Sequence, residues 1–224
     1  MKETSLQDRN TDFTDDLRTR GCAVCNYVIK IARDFFVQWQ YALAYEEKAQ
    51  SEFASELGFC AVHAWQLDEM SSPLGESSGL TRLIKRVSEI LSNPEQYSAA
   101  AQHVEGILRT SKSCRVCRML SAAEVSYIGG LAEFLGNANA KQIYGRSQGV
   151  CVRHLARLLS ITSDEVREFL LTAASRQLEK LSEQMQSYAV KRNAIRRDLI
   201  SSDEEDAYLR ALIHLVGAKD YSAP

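Results

Sequence analysis

Apolar residues recur along most of the chain at steps of three and four, the period of one helix face, and nowhere do they alternate as in a strand. After Cys25 they are Val28, Ile29, Ala32, Phe35, Phe36, Trp39 and Leu43. From Val116 they run on through Met119, Leu120, Val125, Ile128, Leu131 and Leu135. In this later copy Gly136-Asn137 breaks the run, a second helical arm reaches Ser147, and Gly149 precedes Cys151. Aligning the copies on Cys25 and Cys117 sets Gly136 opposite Ala44, so the earlier turn is expected near Ala44-Tyr45. The helical arm over 46–57 is then stopped by Gly58.

Further along, Ser71-Ser72-Pro73 and Gly75 to Gly79 predict a loop, Leu80 to Leu91 a helix, and Asn93-Pro94 the close of the first half. Thr162 and Glu165 are spaced as a capping box ahead of a long amphipathic helix carrying Val166, Phe169, Leu170, Leu178, Leu181 and Met185. A last helix opens at Ser201-Ser202-Asp203-Glu204-Glu205, where the acids suit the positive end of the helix dipole, and stops at Gly217. The expected fold is all-α: a flexible leader (1–20), two helical pseudo-repeats (21–94 and 95–160) each closed by a Cys3His site, a C-terminal helical pair (161–217) and a tail (218–224).

The composition is that of an ordinary globular protein, with 45% hydrophobic and 25% charged residues among 224. Three prolines and eleven glycines leave few helix breakers. A net charge of −2 gives no sign of nucleic acid or an anionic membrane as the main partner. The polar, acidic N-terminus lacks the apolar core of a secretory signal, and no stretch approaches the ~20 apolar residues of a membrane span. The expected compartment is cytoplasmic, where paired cysteines bind metal more often than they form structural disulfides.

The cysteines give the sharpest signal. Cys22-Ala-Val-Cys25 is followed by Cys60-Ala-Val-His63, and Cys114-Arg-Val-Cys117 by Cys151-Val-Arg-His154. The gap from second to third cysteine is 35 positions in one copy and 34 in the other, and all six cysteines of the chain are used. Helical arms of about 28 Å out and about 21 Å back, at 1.5 Å per residue, bring each Cys-x-x-His towards the Cys-x-x-Cys of its own repeat. The expected ligand sets are therefore Cys22, Cys25, Cys60 and His63, and Cys114, Cys117, Cys151 and His154.

Three thiolates and one imidazole suit tetrahedral zinc with no open position, so two zinc ions are expected. The alternative is two iron–sulfur clusters, with 4Fe–4S ahead of 2Fe–2S. A thioredoxin-like dithiol lacks its βαβ pattern and gives Cys60 and Cys151 no role. His103 and His214 read as surface or packing residues, and Trp39 and Trp65 as core, with Trp65 placed to shield the first site. The basic run Lys191 to Arg197 reads as a solvated helix face. No phosphate-binding glycine loop, serine elbow or metalloprotease helix is present.

Gly58-Phe59-Cys60-Ala61-Val62-His63-Ala64-Trp65, followed by Pro73-Leu74-Gly75, resembles an uncharacterised family of bacterial and archaeal proteins. Its members carry an early Cys-x-x-Cys, then Gly-Phe-Cys-x-x-His-x-Trp, a weaker second copy of both motifs, and an acid-led last helix. The resemblance spans residues 21 to 217. The chain departs from it at Ala23, where proline is frequent, and at Val150, which stands where the first motif has phenylalanine. It implies metal binding and an all-α fold, and no activity. The function expected is that of a metal-binding accessory protein with structural rather than catalytic metal, whose partner is another protein and whose oligomeric state is open. An electron carrier or a redox or metal sensor is the alternative.

Overall fold

A computed structural model describes residues 13–92, 100–193 and 197–223. The described residues form helices and no strand. They divide into two compact units, one of residues 1–28 with 123–221 and the other of residues 29–122 with 222–224. The units do not coincide with the sequence repeats, because the divisions fall inside two long helices, α2 (Ala23–Tyr45) and α7 (Arg115–Phe134).

The unit of residues 1–28 and 123–221 holds α1 (Phe13–Arg18), α8 (Ala138–Arg146), α9 (Val152–Ile161), the 30-residue α10 (Asp164–Asn193), α11 (Ser202–Glu205) and α12 (Ala207–Val216). The end of the expected leader is not loose: α1 buries Leu17, and its Phe13 ring lies 5.2 Å from that of Tyr127. Gly130 makes room for Phe13, since a Cβ there would stand 2.8 Å from its ring. The Tyr127 hydroxyl donates to Asp16 at 2.9 Å. Residues 1–12 lie outside the described residues, as do Asn93-Pro94, 194–196 of the basic run and the His103 side chain.

The expected capping box at Thr162 is absent. Thr162 instead ends α9, its hydroxyl donating to the Leu158 carbonyl at 2.9 Å. Glu165 turns outward to Lys141, so α10 opens one residue later than the pattern suggests. The capping box forms at Ser201 and Glu204, where serine and glutamate each bond the other's backbone N–H.

The unit of residues 29–122 and 222–224 holds most of α2 with α3 (Glu47–Ser55), α4 (Ala61–Met70), α5 (Pro73–Leu91) and α6 (Ala100–Ile107). α5 begins at Pro73, behind the N-cap Ser72, and not near Leu80. Gly75 and Gly79 were expected in a loop but form one small-residue face of this helix. A Cβ on Gly75 would meet the Gln40 carbonyl at 2.9 Å, and one on Gly79 the Leu43 side chain at 3.0 Å. Both glycines let α5 lie directly against α2.

α3 ends in paired reverse bonds, Gly58 N–H to Phe53 O (2.9 Å) and Leu57 N–H to Ala54 O (3.1 Å), with Leu57 at φ 57° and Gly58 at φ 75°. This end turns Phe59 into an aromatic cluster with Phe53, Phe35, Phe36 and Trp39. Trp39 is 4% exposed, as expected of core, whereas Trp65 is 70% exposed. On α4 the buried face is His63 and Leu67, which aims Trp65 outward.

Candidate metal centres

Four helix starts supply all eight candidate ligands. Cys22 and Cys114 directly precede α2 and α7, and Cys60 and Cys151 are the N-cap residues of α4 and α9. In each case the second ligand follows three positions later, in the first turn and on the same face. The caps Cys60 and Cys151 share one backbone geometry (φ −66°, ψ 163° and φ −71°, ψ 164°), and neither sulfur caps its own helix. Their side chains turn instead towards the other ligands.

The ligands assemble in two buried groups: Cys22, Cys25, Cys151 and His154, and Cys60, His63, Cys114 and Cys117. All eight predicted residues are used, but the Cys-x-x-His motifs are exchanged between the repeats. The reason is the length of the return arm. Helix α3 runs back for only 9 residues, about 14 Å, against 23 residues and about 34 Å for α2. Phe59 therefore meets α2 at Phe35, Phe36 and Trp39, and His63 packs 6.2 Å from the Phe36 ring, about 16 Å along the helix from Cys25. Within that unit Cys60 and His63 close on Cys114 and Cys117.

In the first group Nδ1 of His154 lies 3.3 Å from Cys22 Sγ, 3.6 Å from Cys25 Sγ and 3.1 Å from Cys151 Sγ. The Cys25 and Cys151 sulfurs are 4.0 Å apart. In the second, Nδ1 of His63 lies 3.2 Å from Cys60, 3.6 Å from Cys114 and 3.3 Å from Cys117, with 3.6 Å between the Cys60 and Cys117 sulfurs. Within each group the four ligand atoms lie within 4.8 Å of one another, so each group could hold a metal ion. None of the six cysteines is in a disulfide.

The local electrostatics divide the thiols: one in each group is held down towards the anion and one is pushed up. Each group sits at two helix N-termini, each worth about half a positive charge. Hydrogen bonds with Cys22 and Cys25 hold the Cys151 thiol far below its ordinary range despite burial. Burial alone would raise Cys114, but hydrogen bonds from His63 and the backbone lower it to about 6. Burial and neighbouring thiols push Cys22 and Cys117 up. Burial would lower His154, yet its bonds to Cys151, Cys25 and Glu124 hold it at about 10.

Each histidine turns Nδ1 to the sulfurs and leaves Nε2 for an outer partner. His154 Nε2 meets Glu124 Oε1 at 2.7 Å and the Tyr221 hydroxyl at 3.3 Å. His63 Nε2 meets the Ser222 hydroxyl at 3.2 Å. Sequence reasoning missed these partners. Glu124 sits within an apolar helical run, and a buried acid there was the available signal. The first group also packs against Gly217, where φ is 92° and a Cβ would stand 3.7 Å from Cys25 Sγ.

Residues 14–220 match the model of a family of unknown function, DUF6062, and the chain belongs to that family. No curated protein and no solved structure matches it.

Proposed function

We propose that this member of a family without an assigned activity is a metal-stabilised accessory protein. Each of its two Cys3His groups would hold one zinc ion, and the folded chain would act by binding another protein rather than by catalysis. The observation that carries the reading is the size of the two ligand groups. Zn–S bonds of about 2.3 Å and Zn–N bonds of about 2.0 Å at tetrahedral angles require about 3.8 Å between sulfurs and about 3.5 Å between sulfur and nitrogen. One sulfur–sulfur separation in each group, 4.0 and 3.6 Å, and sulfur–nitrogen separations of 3.1 to 3.6 Å are close to this size, and all four candidate ligand atoms of each group lie within 4.8 Å of one another. A cluster of two or more irons would spread its ligands over different irons and hold them further apart.

Four protein ligands complete a tetrahedral ion and leave no position for substrate, which supports a structural role. Three thiolates around a dication carry a net charge of −1, which two helix N-termini offset. Binding would tie α2 to α9 in one unit and α4 to α7 in the other, contributing folding free energy directly. Reduced, unpaired thiols suit a cytoplasmic setting. No helix among the described residues is long and apolar enough to cross a membrane. For a protein partner, α12 presents Tyr208, Leu209, Leu212, Leu215 and Val216, each between 49% and 74% exposed.

The test is anaerobic purification followed by metal analysis and a visible spectrum. About two zinc per chain and no colour is the expected result. Iron with sulfide and a brown spectrum would overturn it and make the protein an electron carrier or redox sensor.

A further inference from the structure

The two centres share a ligand set but differ in what lies behind their histidines. Glu124 is wholly buried in α7, with Oε1 2.7 Å from His154 Nε2 and accepting the Tyr221 hydroxyl at 2.7 Å. Its other oxygen forms an ion pair with Arg157 at 2.5 Å. The Tyr221 ring stands edge-on to the imidazole, 5.2 Å between centroids, and Arg153 lies over the Tyr221 ring at 5.0 Å. Behind His63 stands a hydroxyl, Ser222 at 3.2 Å, itself donating to Gln66 at 3.2 Å. Among the described residues no carboxylate bonds His63. Counted from the second cysteine, the repeat position equivalent to Glu124 is Ala32.

Access differs as well. Cys22, Cys25, Cys151 and His154 are all 0% exposed, whereas Cys60 is 8% and Cys117 3% exposed.

We propose that one centre is permanent and the other exchangeable. The Cys60–His63–Cys114–Cys117 centre takes up and gives up a thiophilic divalent cation, and Glu124 is the positioning residue that locks the ion of the other. The proposal rests on the reading of both groups as metal centres. A carboxylate on Nε2–H fixes the tautomer that leaves Nδ1 free, holds the ring in its orientation and makes the nitrogen a better donor. A charged acceptor at 2.7 Å does this more strongly than a neutral hydroxyl at 3.2 Å. An ion leaves when one ligand lets go and a competitor takes its place. The less firmly held imidazole and the less completely buried cysteines both belong to the second centre.

The test uses the full chain loaded with zinc and challenged with excess chelator, the released zinc being followed over time. A thiol-alkylating pulse at intervals, read by peptide mass spectrometry, identifies which cysteines have been freed. Two phases of one equivalent each are expected, with Cys60, Cys114 and Cys117 alkylated in the first. Glu124→Gln should speed only the slow phase, by about tenfold to a hundredfold. Tyr221→Phe is a gentler second variant that should accelerate the same phase by less, and Ser222→Ala should leave it unchanged. Equal release from both centres, or release first from Cys22, Cys25 and Cys151, overturns the proposal. An unchanged slow phase in both Glu124→Gln and Tyr221→Phe overturns the role of Glu124. Failure to bind two equivalents at the outset would instead overturn the underlying metal reading.

Discussion

Cys22 Sγ stands 3.3 Å from Nδ1 of His154, a residue 132 positions further along the chain. The first Cys-x-x-Cys thus takes its histidine from the second repeat, and the second Cys-x-x-Cys takes His63 from the first. Each repeat contributes half of each centre, so an isolated repeat contains no complete one. Expressed alone, a segment covering residues 21–94 should bind zinc far more weakly than the full chain.

Metal binding should release protons. Burial and neighbouring thiols hold Cys22 and Cys117 well above the ordinary thiol range, so these sulfurs are protonated at pH 7 before an ion arrives. An ion needs them as thiolates, and binding must therefore weaken as pH falls. Calorimetry of zinc binding in buffers of different ionisation enthalpy should reveal net proton release at pH 7. A binding heat independent of the buffer would contradict this.

Glu204 should confer acid-sensitive stability on the C-terminal helices. Lys191, at 2.6 Å, together with Ser187 and the Ser201 backbone, lowers its carboxyl to about 2, against 4.5 unperturbed. A carboxyl lowered on folding stabilises the fold above its unfolded value, and that contribution is lost as pH falls from about 4.5 towards 2. Glu204→Gln should lower the melting temperature at pH 7 and flatten its dependence over that window. Ser201→Ala, which removes the other half of the capping box, should cost about 1 kcal/mol.

The two glycines of α5 should respond differently to alanine. At Gly75 a methyl group meets a backbone carbonyl, Gln40 O at 2.9 Å, which cannot move aside alone. At Gly79 it meets Leu43 Cδ2, Cδ1 and Cγ at 3.0–3.4 Å, side-chain atoms that can give a little where a backbone carbonyl cannot. Gly75→Ala should destabilise by about 1–3 kcal/mol despite the better helix propensity of alanine. Gly79→Ala should destabilise as well, but by less. Thermal unfolding of the two variants checks both, and the reverse order would refute the packing argument.

Helix type and the residues that gather in the two buried groups were legible because both have a short period. The run from Val28 to Leu43 repeats every three or four residues, and each ligand pair is separated by three. The partners of those pairs were not legible, because they depend on where a helix stops. Gly58 and Gly149 mark the approach to Cys60 and Cys151, but no residue announces that α3 runs back for only 9 residues. Gly75 and Gly79 misled for a related reason. Read alone, they are loop residues; against α2, they are the only size that fits. Glu124 left one sign, an acid inside an apolar run, but that it serves His154 shows only once the fold has brought the two together.

Double cysteine variants test the crossed pairing most directly, with zinc counted per folded chain. If the centres are crossed, Cys22→Ser with Cys151→Ser damages one centre and should leave about one tightly bound zinc. Cys22→Ser with Cys60→Ser damages both centres and should leave almost none. The opposite result, zinc lost from the first pair and about one retained by the second, would mean that each repeat closes its own site and would contradict the account.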